Sequence, residues 1–294
     1  MKQHVIFALV LFLSSFNSAF AMDWKALHER SDVMTFKEAQ VQVENDPSSR
    51  EKLYVLGLVC FKLHNDTLAL DSFNKMLVVD PASREAKWGV AEVLRRRHKL
   101  EQSQKMLQEI IKEDPGFSPA LNSLAFIRYR QMDLEEAVRL VLKVIERGRA
   151  GTDTSNYVRA VLIYAGTKGM IAHYGGPFSK IVNGTAVLPN IKKAQAIQPD
   201  AAEVYFGLGS FYFLAPAFVG GDMKLAKEYL EKAIAKEPLF ADPYVRLAQV
   251  YKQMGDNAKF EEYLDKALKV DPGNELALDV KNGACKFICV GGKE

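Results

Sequence analysis

The segment ADPYVRLAQVYKQMGDNAKFEEYLDKALKVDP, Ala241 to Pro272, decides the fold. Its first half places Tyr244, Leu247, Ala248 and Tyr251 on one stripe at helical spacing, and its second half does the same with Leu264 and Ala267. The turn Met254-Gly255-Asp256 separates the halves and offers Asp256 as an N-cap. Pro272 closes the second helix because it cannot donate an amide hydrogen. The segment is therefore a helical hairpin, with small residues where the two helices approach.

Working outward, proline is the ruler. Pro47 to Pro81, Pro81 to Pro115 and Pro238 to Pro272 are each intervals of 34 residues. Within them LYVLGLVCF followed by ALDSFNKML supplies Leu53, Leu56, Gly57, Ala69 and Phe73, and ALNSLAFIRYRQMDLEEAVRLVLKV supplies Leu121, Leu124, Ala125 and Ala137. The turns HND, QMD and MGD each end in an Asp able to cap the next helix. Spacing, small residues and terminal proline together resemble the tetratricopeptide repeat family over residues 36 to 290. The unit from Arg84 is the weakest match, with Lys87 and Ser103 at positions usually more apolar or smaller. The resemblance implies an all-α fold, a right-handed α-solenoid of paired antiparallel helices. Repeats are expected at about 50–81, 84–115, 118–149, 152–199, 202–238 and 241–272, with a capping helix at about 275–290.

Two intervals are too long. Pro199 to Pro238 spans 39 residues and Pro115 to Pro199 spans 84, a surplus of five over one repeat and 16 over two. The surplus lies in FYFLAPAFVGGD and MIAHYGGPFSKIVNG, each in the turn joining first to second helix. Equivalent turns share one edge of a solenoid about one helix-pair width apart, so the insertions are expected to touch and form an apolar lip carrying Phe178 and Phe218, with His173 and Tyr174 as polar rim contacts and Asp222 as the next N-cap. Residues His173 to Pro177, Leu208-Gly209 and Pro216 to Asp222 also resemble the TatT family, the helical-repeat T component of some TRAP-type solute transporters. That resemblance implies a periplasmic protein that partners a solute-binding protein and has a channel suited to apolar ligands. Members are typically lipoproteins, and this chain lacks the lipid-modified Cys.

One stripe of each first helix should line the concave groove: Tyr54, Leu58 and Phe61; Trp88, Glu92 and Arg95; Asn122, Phe126 and Tyr129; Phe206, Ser210 and Phe213; Val245, Gln249 and Lys252. The aromatic members, Trp88, Phe126, Tyr129, Phe206 and Phe213, are the candidate partner-binding residues, with Phe206 and Phe213 as a floor beneath the lip.

Residues 1–21 carry Lys2, an apolar run from Val5 to Leu13 and a small-residue end at Ala21, the layout of a secretory signal cleaved near Ala21. A periplasmic or secreted protein is expected, not an integral membrane one. The chain has 39 Lys and Arg against 36 Asp and Glu, and cleavage removes only Lys2, so charge gives no case for nucleic acid. The basic cluster Arg95 to Lys99 falls at a helix end, where cations are favoured by the dipole. Cys60 reads as a small core residue, while Cys285 and Cys289 are either two thiols or a disulfide that needs a frayed helix. No histidine has a partner at metal-ligand spacing, and no phosphate loop or nucleophile motif is present, so no metal, cofactor or enzymatic activity is expected.

Two functions fit these readings. One is an exported scaffold that binds a protein or peptide, such as a periplasmic solute-binding protein, in service of solute transport or envelope assembly. The other is a carrier of an apolar small molecule held between the groove and the insertions. An open continuous groove favours the first, and a closed cavity the second.

Overall fold

The computed structural model describes residues 22–288. The expected signal, residues 1–21, and Cys289 lie outside the described residues. Two helices, α1 (Trp24–Val33) and α2 (Phe36–Asn45), precede the repeats. Thr35 and Glu38 form a reciprocal capping box at the start of α2.

Six helix pairs then follow: α3 (Arg50–Lys62) with α4 (Asp66–Val79), α5 (Arg84–Arg96) with α6 (Leu100–Glu113), α7 (Ser118–Arg130) with α8 (Leu134–Gly151), α9 (Thr154–Tyr174) with α11 (Val187–Ile197), α12 (Ala202–Leu214) with α13 (Met223–Lys236), and α14 (Ala241–Gln253) with α15 (Asn257–Val270). The short α10 (Pro177–Gly184) intervenes between α9 and α11, and α16 (Glu275–Lys281) follows the last pair. No strand occurs among the described residues.

Backbone chemistry explains the period. Asp80, Asp114, Glu237 and Asp271 leave the helical region immediately before Pro81, Pro115, Pro238 and Pro272, as the clash of the proline ring with a preceding α-conformation requires. In the four hairpins without an insertion the turn is made by one left-handed residue: His64 (φ 52°), His98 (φ 58°), Met132 (φ 66°) and Gly255 (φ 83°). In the HND turn Asn65, not the expected Asp66, caps α4 by accepting from the Leu68 amide at 3.1 Å, while Asp66 pairs with Arg96 at 2.6 Å. Asp133 makes no side-chain cap bond, whereas Asp256 caps α15.

The first insertion is helix rather than loop. Helix α9 runs on to Tyr174, and Gly176-Pro177 starts α10, with Pro177 at the first turn where its missing amide costs nothing. The second insertion is a 3-10 helix, Ala217–Val219, closed by Gly220 at φ 109°. Gly221 packs on the Ala215 carbonyl so closely that a Cβ there would strike it, and Asp222 accepts from the Lys224 and Leu225 amides at 2.8 and 3.0 Å. Phe178 and Phe218 are 80% and 91% exposed, so the insertions do not bury one another's rings.

Curvature brings distant repeats together. His64 Nε2 lies 2.5 Å from Glu237 Oε1 and, one repeat on, His98 Nε2 lies 2.9 Å from Asp271 Oδ1, each bridging 173 residues. Arg130 meets Glu275 at 3.0 Å. Gly273 is required there, because a Cβ would collide with the His98 ring. Cys60 is a buried free thiol whose pKa burial pushes up to about 11, and Cys285 is disulfide-bonded.

The fully buried Phe73 ring is wedged against Gly57 of its own pair and Gly89 of the next, and a Cβ at either glycine would enter the ring. Gly57→Leu should therefore lower stability by about 1–3 kcal/mol or more. Lys232→Leu on an exposed face should change it by less than about 0.5 kcal/mol. Chemical denaturation monitored by far-ultraviolet circular dichroism checks both, and equal midpoints would refute the repeat register.

Candidate functional site, a central chamber

Three parts of the expected groove have different fates. At the N-terminal end α1 lies in it. Trp24 packs edge-on to Phe117 at 5.2 Å, and His28 meets Trp88 at 5.6 Å and donates to or accepts from the Tyr54 hydroxyl at 2.8 Å. Ser155 donates to Asp32 at 2.7 Å and Lys25 to the Ala150 carbonyl at 3.4 Å, fixing α1 to the fourth and third pairs. Tyr54, Trp88 and Asn122 are buried as a result.

At the other end the last described residues fold back. Asp279 accepts from the Lys286 and Phe287 amides, both at 2.9 Å, and Arg246 donates to the Phe287 and Ile288 carbonyls at 2.8 and 2.9 Å. Phe287, 2% exposed, stacks on Tyr129 at 6.2 Å beneath the Arg130 guanidinium. Groove positions Tyr129 and Gln249 are thereby covered by the chain's own C-terminal segment.

Between the two occupied ends remains a chamber of about 1930 Å³, walled by the repeats and by the contacts that close the ring, and open beside Ile181 and Phe218. Leu58, Phe61, Leu162, Ile163, Met170, Phe206 and Phe211 give it an apolar wall, and Phe126 lies on it under the Arg95 guanidinium at 4.7 Å. Phe206 packs edge-on to Phe240 at 5.2 Å. Two polar groups face this wall without an ion pair or, for the serine, a hydrogen bond among the described residues: Glu203 and Ser210. Glu203 is open to the chamber yet surrounded by protein, so burial, and then the nearby Glu237 carboxylate, raise its pKa.

Of the nine sequence candidates, Trp88, Phe126, Tyr129, His173, Phe206 and Phe218 border the chamber. Trp88 does so from within the core, its indole donating to Ser123 at 3.2 Å. Phe213 does not form the floor: it is 4% exposed and packs with Leu230, Leu247 and Val250 on the other side of α12. Tyr174 and Phe178 are exposed and turned away from the chamber, and the Tyr174 hydroxyl donates to the Lys286 carbonyl at 2.8 Å. His173 stands edge-on to Tyr174 at 4.9 Å.

The wall also holds an ion-pair network that the sequence stripe contained without revealing. Glu92, 3% exposed, accepts from Arg95 at 2.7 and 2.9 Å, from Arg159 at 3.2 Å and from Ser123 at 2.7 Å. Burial alone would raise its pKa, but the two guanidinium groups outweigh this and hold the carboxyl well below the usual range. Arg159 lies 67 residues from Glu92, beyond the reach of any local motif.

A tetratricopeptide repeat family model matches residues 220–282. Among solved structures, a tetratricopeptide repeat protein from Parabacteroides merdae is 16% identical with TM-score 0.52, over 88% of this chain and 97% of that one. The Cut9 chain assembly described as the APC/C hetero-tetramer Cut9-Hcn1 gives 13% identity and TM-score 0.55 over 88% and 47%. A human IFIT1 dimer with PPP-AAAA gives 20% and 0.54 over 74% and 48%. No curated protein matches the sequence. With the helix pairs and their period, these likenesses define the fold as an α-solenoid of tetratricopeptide repeats. Among the described residues, no helix is long and apolar enough to cross a membrane, and no group of three or more His, Cys, Asp or Glu side chains is placed to hold a metal ion.

Replacing Glu92 with Gln strands two guanidinium groups against apolar wall, and a loss of about 3 kcal/mol is expected, checked by urea denaturation. Acid should act on α1. Burial lowers the pKa of His28 despite Asp153 at 3.9 Å and the more distant Asp32, so the seated helix holds the neutral imidazole. The released ring titrates near its ordinary value of about 6.5. Stability from this seat is thus full above that pH and is lost as pH falls below it. In a Trp88→Phe background, where Trp24 is the sole indole, its fluorescence should shift to the red between about pH 7 and 5. Adding His28→Gln should flatten that transition.

Proposed function

We propose that this chain is a non-catalytic, exported tetratricopeptide-repeat carrier that encloses an apolar ligand in the central chamber, serving as an accessory in solute transport or envelope assembly. One observation carries the reading: both ends of the groove are filled in cis while the middle remains a walled space of about 1930 Å³ that opens beside Ile181 and Phe218. That exceeds the usual range of about 300–1,000 Å³ for small-molecule pockets, so the ligand is large or binds in more than one copy. Its body would lie against Phe61, Phe126 and Phe206, with Glu203 offering a hydrogen bond to a polar end. The periplasmic placement follows from the signal-like residues 1–21, and the association with a TRAP-type system from the TatT-like insertions.

A second reading, a scaffold for a partner protein, is favoured by α1 itself. The groove surface at Tyr54, Trp88 and Phe117 already accepts a helix through Trp24 and His28, so a partner's helix could replace α1 there.

Gly166 separates the two. It lies on the chamber wall within α9, and a Cβ built on it meets no atom within 4 Å. Gly166→Phe should place a ring in the chamber against the apolar wall where the ligand body would lie, while keeping or raising the melting temperature, since a mid-helix glycine is replaced. For the carrier, binding of the neutral dye N-phenyl-1-naphthylamine, read by its fluorescence gain, should fall by about tenfold or more in this variant, equivalent to about 1.4 kcal/mol. Unchanged dye binding in the folded variant would reject the chamber as the capture site.

A further inference from the structure

The two insertions carry an unusual share of exposed apolar surface: Tyr174, Phe178, Ile181, Val182, Phe218 and Val219. Helix α10 buries none of its side chains, yet it is fixed to α9. Ser179 donates to the Ile171 carbonyl at 3.1 Å, and Lys168 donates to Asn183 at 2.9 Å. The apolar side chains are thus held outward on a rigid support. Ile181 and Phe218 both border the chamber, and both are mostly exposed, so this surface surrounds the chamber's opening.

Charge completes the pattern. From Thr154 to Pro199 the chain has Arg159, Lys168, Lys180, Lys192 and Lys193 and not one carboxylate. Arg159 is consumed by Glu92, but none of the four lysines makes an ion pair among the described residues. Elsewhere lysines alternate with carboxylates along each helix, and some pair within a turn, as in Lys227 with Glu231, Lys232 with Glu228 and Lys266 with Glu262. Outward aromatics beside uncompensated lysines are the chemistry that holds a protein at an anionic lipid surface.

We propose that α10 and the Ala217–Val219 turn dock on an anionic bilayer, with Phe178, Ile181 and Phe218 entering the headgroup region and Lys180 meeting lipid phosphates. The three exposed rings and their aliphatic neighbours present on the order of 700 Å², close to the roughly 800 Å² per partner that a stable protein interface buries, so the carboxylate-free run of lysines rather than area selects the bilayer. A bilayer needs only a few inserted side chains reinforced by charge. This inference goes beyond ligand capture and stands without it.

The test is flotation of the purified protein with vesicles of phosphatidylcholine alone and of phosphatidylcholine mixed with phosphatidylglycerol. Partitioning should be about tenfold or more stronger on the anionic vesicles and should fall as salt rises from about 0.05 to 0.5 M. Phe178→Ser with Val182→Ser, two residues that do not border the chamber, should abolish it without loss of helical circular dichroism. The same variant should still bind N-phenyl-1-naphthylamine, which keeps failure of the docking surface apart from failure of the chamber. Lys180→Glu should weaken binding to anionic vesicles only. Equal or absent partitioning of the wild-type protein on the two vesicle types would overturn the proposal. So would full binding by the double variant, or a photo-crosslinker at position 178 that labels a protein and no lipid in native envelopes.

Discussion

Closure of the solenoid on itself governs everything else about this molecule. Among the ties between distant repeats are the pairs of His64 with Glu237 and His98 with Asp271. These pairs are about one-quarter to one-third exposed, and contacts of that kind contribute roughly 0–1 kcal/mol each. They are too weak to bend the chain. The bend comes from the small residues inside and between the hairpins, such as Gly57 and Gly89 around Phe73, which set the angle between neighbouring pairs. Closure then records that the accumulated angle is right, and the buried stack of Phe287 on Tyr129 secures it.

A closed ring changes the meaning of the concave face. In an open solenoid that face awaits a partner, whereas here α1 and residues 286–288 fill its two ends. The side chains at the occupied positions are consequently those of a core. Trp88 illustrates this: one stripe residue serves as packing for Phe73, acceptor surface for His28 and hydrogen-bond donor to Ser123, which in turn donates to Glu92. Chamber wall and hydrophobic core are joined through such residues, so the wall is stiff.

The repeat period was legible because proline and glycine act locally: the residue before Pro81 or Pro272 must leave the helix whatever surrounds it. Face assignment was less secure where a helix is apolar all round. In α12, the run Phe211-Tyr212-Phe213 offers no polar side to orient it, and Phe213 turned to the core while Phe206 turned to the chamber. The occupants of the groove were hidden for a different reason. Trp24 and Leu27 do form a short apolar stripe, but nothing in it names Phe117 as the surface to be covered. The helix α10 could have been read from Gly176-Pro177, a common helix start. Which side chains it leaves exposed is a tertiary fact.

The histidine pairs have an arithmetic consequence. Both bridge the same 173 residues, and the two histidines, like their two partners, are one repeat apart. Repeat arrays ordinarily lengthen and shorten by whole units with little penalty, since each unit touches only its neighbours. Here a duplicated or lost hairpin between Lys99 and Lys236 would displace both carboxylates from both histidines at once, and the ring would open into a spiral. The number of repeats in this protein is therefore part of its tertiary structure, fixed as firmly as the strand number of a closed β-barrel.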